Sequence, residues 1–240
     1  MGEKFKDKVV IVTGGSRGLG RAMSLGFARE GAHVVVASRK IENCQAVVAA
    51  IEAEGGKALA QAVHMGDIAD CDALIEAAYR HFGRVDVLVN NAGISAFDKM
   101  VDVNLKGPWY LASRLAPRMG EQGGGCVINV LSVAALCTPA YSGIYAATKA
   151  ALKALTEVMA QEWASWNIRV NALAPGSYHS DLTDGAIAAL PEYAAGMVDA
   201  ALIPRVAETE EILNPVFYLA SESFTTGITL VADGGLMAKR

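Results

Sequence analysis

The chain has 240 residues, of which 52% are hydrophobic, and its formal net charge is −4. These values predict one large globular domain over residues 1–240. The mild acidity and the absence of lysine or arginine runs argue against nucleic acid as a partner. The apolar stretches are too short to cross a bilayer and no secretion signal is recognisable, so we expect a cytoplasmic protein without a membrane anchor. The scattered cysteines and histidines have no metal-site spacing, and no metal is expected.

Strand-like and helix-like segments alternate along the whole chain. The β-branched run Val9–Val12 is typical of a strand covered on both faces, and a helical pattern follows it over 17–30. Further strands are predicted over 33–37, 58–63, 85–89, 126–131, 168–173 and 228–231, with helices between most of them. This alternation predicts an α/β fold with a doubly wound parallel sheet of about seven strands, and ligands bound beyond the strand carboxyl ends.

A glycine-rich turn, Thr13-Gly14-Gly15-Ser16-Arg17-Gly18-Leu19-Gly20, directly follows the first strand. Between a buried strand and a helix, such a turn lets backbone N–H groups and the positive helix end approach a pyrophosphate. An ordinary tight turn is the alternative interpretation. The position after the predicted strand favours a dinucleotide site.

A tyrosine and a lysine lie four residues apart, at Tyr145 and Lys149. This spacing places both side chains on one face of a helix. A free tyrosine has a pKa of roughly 10, and a nearby cation stabilises its phenolate. We therefore expect Lys149 to lower the pKa of Tyr145, so that the tyrosine can exchange a proton with an alcohol oxygen.

Five motifs, in this order, resemble those of the short-chain dehydrogenase/reductase family. They are T-G-x-x-x-G-x-G at 13–20, Asn90-Asn91-Ala92-Gly93, Ser132 thirteen residues before Tyr145, the Y-x-x-x-K pair, and Pro175-Gly176. The resemblance covers essentially the whole chain. It implies a Rossmann-like fold, hydride transfer between a nicotinamide cofactor and a carbonyl/secondary alcohol substrate, and a homo-oligomer, either a tetramer or a dimer.

The resemblance also implies roles for individual residues. Tyr145 corresponds to the general acid/base, Lys149 to the residue that lowers its pKa and holds the nicotinamide ribose, and Ser132 to the hydroxyl that polarises the carbonyl. Asn104 corresponds to the asparagine of a water-linked proton path. The implied cofactor contacts are Gly14, Ser16, Arg17, Gly18, Leu19, Gly20, Ser38, Arg39, Asp67, Ile68, Asn91, Ala92, Gly93, Tyr145, Lys149, Pro175, Gly176, Tyr178 and Ser180.

The end of the second strand bears on the choice between NAD(H) and NADP(H). An acidic residue there would bind the ribose diol, whereas an arginine would pair with a 2′-phosphate. The chain has Ser38 and Arg39 at this point and no acid before Glu42, with Arg17 in the glycine-rich turn. NADP(H) is therefore favoured. The alternative is that Arg39 and Lys40 are a solvated pair at the strand end.

Two assignments have a structural alternative. Asp67 and Ile68 follow the third strand where a family aspartate meets the adenine, but Asp67 also suits the N-terminus of a helix. Residues 175–204 form either a substrate lid or an ordinary surface excursion.

The stretch from Gly93 to Asn104 is shorter than is usual in the family, which bears on the position of Asn104. Either segment 94–103 is a genuinely short connection, which leaves the pocket mouth open to bulky ketones, or the protein contains a further, mobile lid segment at this point. The second interpretation is preferred, because loops beside substrate sites are often mobile.

The sequence predicts an NADP(H)-dependent oxidoreductase. One alternative is a catalytically silent NADP(H)-binding regulatory protein, and another is an epimerase or dehydratase with the same cofactor site. The intact Ser132, Tyr145 and Lys149 argue against the first, and the chain length argues against the second. 3-Oxoacyl thioesters, steroids, sugars and xenobiotic ketones all remain open as substrates, as does the reaction direction.

Overall fold

A seven-stranded, entirely parallel sheet forms the centre of the molecule in the computed structural model, which describes residues 2–140, 142–189 and 191–239. The strands are β1 (Val9–Thr13), β2 (His33–Ser38), β3 (Lys57–Ala62), β4 (Val87–Asn90), β5 (Gly125–Val130), β6 (Ile168–Pro175) and β7 (Thr229–Ala232). Their order is β3-β2-β1-β4-β5-β6-β7, so the direction of winding reverses between β1 and β4. The predicted doubly wound fold is confirmed.

Helices cover both faces of the sheet. They are α1 (Gly18–Arg29), α2 (Ile41–Ala53), α3 (Ile68–Phe82), α4 (Gly107–Glu121), α5 (Ala134–Cys137), α6 (Gly143–Glu162), α7 (Asp181–Ala189), α8 (Pro191–Asp199) and α9 (Leu213–Ser221). Among the described residues, none of the helices combines the length and the apolar character needed to cross a membrane.

Alternate residues of the buried strands contribute to two separate cores. On β1, Val10 and Val12 pack with α1, α2 and α9, whereas Val9 and Ile11 pack with α3, α4 and α6. Successive side chains of a strand point to opposite faces, so a strand buried on both sides needs apolar residues at every position. This explains the continuous β-branched run in the sequence.

Buried polar contacts tie α6 to the sheet. Asn90 and Asn129 are register partners on β4 and β5, and the Asn90 Nδ2 donates to the Asn129 Oδ1 at 3.0 Å. The Asn129 Nδ2 in turn donates to the Thr156 Oγ1 on α6 at 2.9 Å. These bonds fix the position of the helix that carries Tyr145 and Lys149.

The connection between β4 and α4 crosses the edge of the sheet in few residues. Phe97–Lys99 form a 3₁₀ turn, and Asp102–Lys106 form a π-helical turn that leads into α4. The backbone runs unbroken from Gly93 to Asn104, and Ile94 and Asn104 are hydrogen-bonded to each other. The connection over 94–103 is thus short and continuous, and the interpretation of a further lid segment stays a prediction.

Residues 175–204 contain the two helices α7 and α8, with Leu190 outside the described residues. Both ends of this excursion are fastened. At its start, the His179 N–H donates to the Ala207 carbonyl and the Ala207 N–H to the Ser177 carbonyl, both at 2.9 Å. At its end, the Ile203 N–H donates to the Gly234 carbonyl at 2.8 Å.

Candidate active site

A cavity of about 500 Å³ opens at the carboxyl ends of the strands, where the winding of the sheet reverses. Most of the predicted site residues line it: Gly14, Arg17, Gly18, Leu19, Gly20, Ser38, Arg39, Asn91, Ala92, Gly93, Ser132, Tyr145, Lys149, Pro175, Gly176, Tyr178 and Ser180. Four others, namely Ser16, Asp67, Ile68 and Asn104, do not belong to the wall. This position is where doubly wound sheets bind ligands.

The glycine-rich turn is packed so tightly that side chains would not fit. Gly14 has φ +65°, and a Cβ there would lie 2.9 Å from the Asn91 Nδ2. A Cβ on Gly20 would lie 2.1 Å from the Gly14 carbonyl oxygen. The Thr13 hydroxyl joins the turn to the Asn-Asn-Ala-Gly block, because it accepts bonds from the N–H groups of Asn91 and Ala92 at 3.1 Å each. The turn and the Asn-Asn-Ala-Gly block therefore form one rigid floor.

The N-terminus of α1 opens onto this floor. Arg17 occupies the N-cap position, and no side chain caps the helix there. The Arg17 side chain makes no capping bond to the first N–H groups of α1, and the positive end of the helix dipole faces a cavity lined by Gly18 and Leu19. Such an end is suited to a phosphate.

At the end of β2, two hydroxyls and two guanidinium groups come together. The Ser16 hydroxyl donates to the Ser38 hydroxyl at 2.9 Å, which places Ser16 directly behind the wall. Arg17 and Arg39 both line the cavity, and none of the described lining residues is acidic. The three predicted residues Ser38, Arg39 and Arg17 therefore line the same cavity.

The end of β3 differs from the sequence-based assignment. Asp67 caps α3, accepting bonds from the N–H groups of Ala69 at 2.8 Å and Asp70 at 3.3 Å, and neither it nor Ile68 belongs to the wall. His64 and Met65 line the cavity instead. The strand ends at Ala62, so His64 is at the cavity edge while Asp67 has already entered the helix.

His64 is held by its neighbours. Its backbone N–H donates to the Asp70 carboxylate at 2.8 Å, and its Nδ1 accepts a bond from the Gly66 N–H at 3.2 Å. An Nδ1 that accepts leaves the proton of the neutral ring on Nε2. The sequence signal for this residue was its position directly after the strand, which alone does not show which side chain faces the cavity.

Ser132, Tyr145 and Lys149 meet on one wall of the cavity. The Ser132 hydroxyl lies close enough to the Tyr145 phenol to lower its pKa, and it accepts a bond from the Ala134 N–H at 3.2 Å. The Lys149 Nζ lies 5.9 Å from the centre of the Tyr145 ring and donates to the Val130 carbonyl at 2.8 Å. Gly93 faces the lysine, since a Cβ at Gly93 would be 3.5 Å from the Lys149 Nζ.

Burial governs the titration of this group. Desolvation lowers the pKa of Lys149 from 10.5 to about 8. It raises the pKa of the Tyr145 phenol, and the nearby Ser132 hydroxyl opposes that rise. The expectation that Lys149 lowers the pKa of Tyr145 is therefore wrong for the protein without cofactor, because desolvation outweighs the other effects. The tyrosine is protonated at neutral pH.

Asn104 lies behind the wall and is fully buried. Its Oδ1 accepts from the Ile94 N–H at 2.9 Å, and its Nδ2 donates to the Ile94 carbonyl at 2.8 Å. A longer contact of 3.4 Å joins the Nδ2 to the Thr148 hydroxyl on α6. We call the paired bonds between Asn104 and Ile94 the Asn104 clamp. It holds Ile94, the residue after Gly93, against the π-helical turn that leads into α4.

Comparison with known proteins identifies the family. A model described as short chain dehydrogenase matches residues 8–190. The chain belongs to the short-chain dehydrogenase family. It is 36% identical to dehydrogenase/reductase SDR family member 4 of Oryctolagus cuniculus, with 97% of this chain and 95% of that protein covered. It is 37% identical to L-rhamnose 1-dehydrogenase (NAD(P)(+)) of Azotobacter vinelandii, with 96% of each chain covered.

A solved short-chain dehydrogenase structure has the same architecture. The 7α-hydroxysteroid dehydrogenase complexed with NADH and 7-oxo glycochenodeoxycholic acid superposes with a TM-score of 0.92 at 31% identity, over 96% of this chain and 94% of that one. The alignments with the two relatives above extend over 250 and 248 positions, more than the 240 residues of this chain. The relatives therefore carry residues that this short-chain dehydrogenase lacks.

Proposed function

We propose that this short-chain dehydrogenase transfers a hydride between NADP(H) and a carbonyl/secondary alcohol substrate. The observation that carries the proposal is the convergence of Ser132, Tyr145 and Lys149 on the same cavity as the glycine-rich turn. A dinucleotide floor and a proton-transfer group are the two components that this reaction needs in one place. Because the catalytic set is intact, a silent regulatory protein is the weaker interpretation.

The residues of the cavity suit the parts of such a cofactor in order. The rigid turn and the open end of α1 suit the pyrophosphate, and Pro175, Gly176, Tyr178 and Ser180 suit the nicotinamide carboxamide. His64 and Met65 would lie at the adenine. When bound, the cofactor supplies or accepts the hydride.

The preference for NADP(H) rests on this chain's own residues. One relative's name includes NAD(P)(+), and the hydroxysteroid dehydrogenase holds NADH, so membership of the family leaves the choice open. Here Arg17 and Arg39 flank Ser38 on a wall whose described members include no acid. Guanidinium groups form charge-assisted bonds with a phosphate.

The proton step is assigned to Tyr145. In the reducing direction its phenol donates a proton to the substrate oxygen as the carbonyl carbon is reduced, and in the oxidising direction its phenolate accepts that proton. Ser132, whose hydroxyl lies beside Tyr145, would orient the same oxygen. Lys149 would hold the nicotinamide ribose, and Asn104 positions Ile94 and supports a water-linked proton path.

The excursion over 175–204 is proposed as a substrate lid. Thr183 and Ile187 of α7 and Val198 of α8 all line the cavity. The fastened ends at Ala207 and Gly234 leave the two helices between them as the part that can adjust to a substrate. The relatives' names include a sugar and a steroid, and the family therefore does not select the substrate.

We also propose a homo-oligomer, and retain the cytoplasmic location expected from the sequence. Large apolar side chains are exposed on α4 and α6, where Trp109 is 45% and Val158 is 43% exposed. A second apolar group, Phe224, Ile228 and Val231, lies at the edge strand β7 and just before it. Two separate apolar faces of this kind suit a tetramer with two types of interface.

Tyr145→Phe tests the proposed function, because it removes the proton donor and almost no surface. We expect turnover of any ketone that the wild type reduces with NADPH to fall below a few per cent, followed at the nicotinamide absorbance, while the dissociation constant of NADPH stays nearly unchanged. Tyr218→Phe is the matched control, since Tyr218 is 44% exposed and outside the cavity wall. Retention of substantial activity in the Tyr145 variant would show that another group moves the proton.

A further inference from the structure

The cavity changes character beyond the catalytic residues. One wall of the cavity is mainly aliphatic. It is formed by the segments after Gly93 and Ser132, by α7 and α8, and by the segment at Val206 before α9. Its apolar members include Ile94, Val133, Pro139, Ile187, Val198 and Val206. We call this part the aliphatic wall. None of the described side chains on it carries a charge.

The hydroxyl groups in this part of the cavity are partly committed to the protein. The Ser142 hydroxyl donates to the Pro139 carbonyl. The Thr183 hydroxyl accepts a bond from the Ser180 hydroxyl at 3.1 Å. A polar substrate would lose its hydrogen bonds to water on binding and would form few hydrogen bonds to this wall in return. Desolvation without compensating bonds is unfavourable.

The positive charges of the cavity belong to other elements than those that form the aliphatic wall. Arg17 and Arg39 lie at the glycine-rich turn and the end of β2, which belong to the adenosine end of the proposed cofactor site. The Lys149 ammonium is buried and already donates to the Val130 carbonyl. An ionised substrate would therefore find no counter-charge among the described residues beside its carbonyl.

The mouth of the cavity gives room for a large group. Ile94 and Ser95 line the cavity, and the short connection leads away from it at Phe97, whose side chain is 72% exposed. The Asn104 clamp fixes Ile94, which keeps this edge of the mouth in place.

From these observations we infer that the substrate is a neutral ketone, or the corresponding secondary alcohol, with a bulky apolar body, rather than a polyhydroxylated or ionised compound. The inference rests on the proposed function and specifies its substrate class. The carbonyl meets Ser132 and Tyr145, and the apolar body packs on the aliphatic wall, where burial of apolar surface supplies the binding energy.

Two cyclohexanones that differ at one position test the inference in the NADPH-loaded enzyme. 4-tert-Butylcyclohexanone carries a bulky apolar group, and 4-oxocyclohexanecarboxylate carries a carboxylate on the same ring. We expect kcat/KM to be about 100-fold higher for the tert-butyl compound, because the carboxylate has no partner on the wall. A carboxylate that is reduced equally well or better overturns the inference and leaves the proposed function standing.

Val198→Arg places a cation on the aliphatic wall, and Ala195→Arg on the same helix is the matched control, since Ala195 is exposed and outside the wall. We expect Val198→Arg to shift the ratio of the two kcat/KM values about tenfold or more towards the carboxylate, at unchanged NADPH affinity. The Ala195 variant should behave as the wild type. Equal shifts in both variants would show that Val198 does not face the substrate.

If neither ketone is turned over, binding decides between the two proposals. The melting temperature of the NADPH-bound protein is measured with each ketone. A rise confined to 4-tert-butylcyclohexanone supports the apolar site and counts against the proposed reaction. A rise confined to the carboxylate, or no rise with either compound, overturns the inference.

Discussion

Two opposing effects act on the ammonium group of Lys149: a hydrogen bond stabilises it, and burial destabilises its charge. Its ammonium is buried against the Val130 carbonyl, and desolvation lowers its pKa to about 8. The folded state therefore releases the lysine proton at a lower pH than the unfolded chain does. Below pH 8 the buried charge destabilises the fold, and stability rises between pH 8 and the unfolded pKa near 10.5.

Lys149→Met should thus stabilise the cofactor-free protein while abolishing activity. A pKa lowered from 10.5 to about 8 corresponds to roughly 3 kcal/mol at pH 7, from which the loss of the bond to Val130 subtracts. We expect a net gain of about 1 kcal/mol in the free energy of unfolding at pH 7, measured by urea titration. The gain should shrink as the pH rises from 8 towards 10, because the wild type then loses its buried charge.

A surface substitution, Lys40→Met, controls for the loss of a lysine side chain as such, since Lys40 is exposed. A Lys149 variant that is less stable than the wild type at pH 7 would contradict the argument. It would mean that the bond to Val130 outweighs the desolvation of the charge.

Arg39 provides the sharpest test of the cofactor assignment, because its neighbour Lys40 does not line the cavity. The wild type should bind NADPH more tightly than NADH. Arg39→Ala should weaken NADPH binding by about tenfold or more, as expected for one charge-assisted phosphate contact, and leave NADH binding unchanged. Lys40→Ala is the matched control. Titration by nicotinamide fluorescence measures all six dissociation constants, and an equal loss for both cofactors would place Arg39 away from the 2′-position.

At the scale of elements, the Asn104 clamp joins Ile94, shortly after β4, to the π-helical turn that leads into α4. The clamp contributes two hydrogen bonds to the Ile94 backbone, each worth about 1 kcal/mol net. Asn104→Leu should therefore lower the free energy of unfolding by about 2 kcal/mol. Because Ile94 lines the substrate end, KM for the ketone should rise several-fold while NADPH affinity stays near the wild-type value.

Thr148→Val is the control for this substitution, since it removes the 3.4 Å contact with Asn104 and leaves the clamp intact. Its KM should stay close to that of the wild type. A fall in kcat at constant KM in Asn104→Leu would favour the proton path over the positioning role.

The sequence predicted the elements well, for a physical reason. Continuous β-branched runs such as Val9–Val12 and glycines such as Gly31 mark the boundaries of buried strands and helices, and every predicted strand is found within a few residues of its position. The wall at the end of β3 was missed. Which of His64 and Asp67 faces the cavity depends on where the strand stops and the helix begins. Both residue types are compatible with a cavity wall and with a helix N-terminus, so the sequence did not decide between them.

The pKa of Tyr145 was the second property that the sequence did not predict. The four-residue spacing of Tyr145 and Lys149 correctly predicts their shared helix face, but the effect of one on the pKa of the other depends on burial. Desolvation of both side chains arises from the closure of α6 over the sheet, which involves residues as distant as Asn90 and Thr156. Local sequence does not carry that information.

For the whole molecule, the two exposed apolar faces predict how assembly responds to substitution. We expect a tetramer by analytical ultracentrifugation. Val158→Glu on α6 and Phe224→Glu, where the side chain is 99% exposed, should each reduce it to a dimer, and the double variant to a monomer, because each charge enters a different apolar interface. Ala53→Glu, exposed on α2, is the control. A wild-type monomer would refute the two-interface arrangement.

The Asn104 clamp also bears on how such an enzyme diversifies. It fixes Ile94 and the start of α4 to each other directly, so the loop between them can gain or lose residues while the catalytic group keeps its geometry. Insertions and deletions at this one place then alter substrate choice and spare the chemistry. The short loop of this chain fits a scaffold in which specificity changes with the length of one connection.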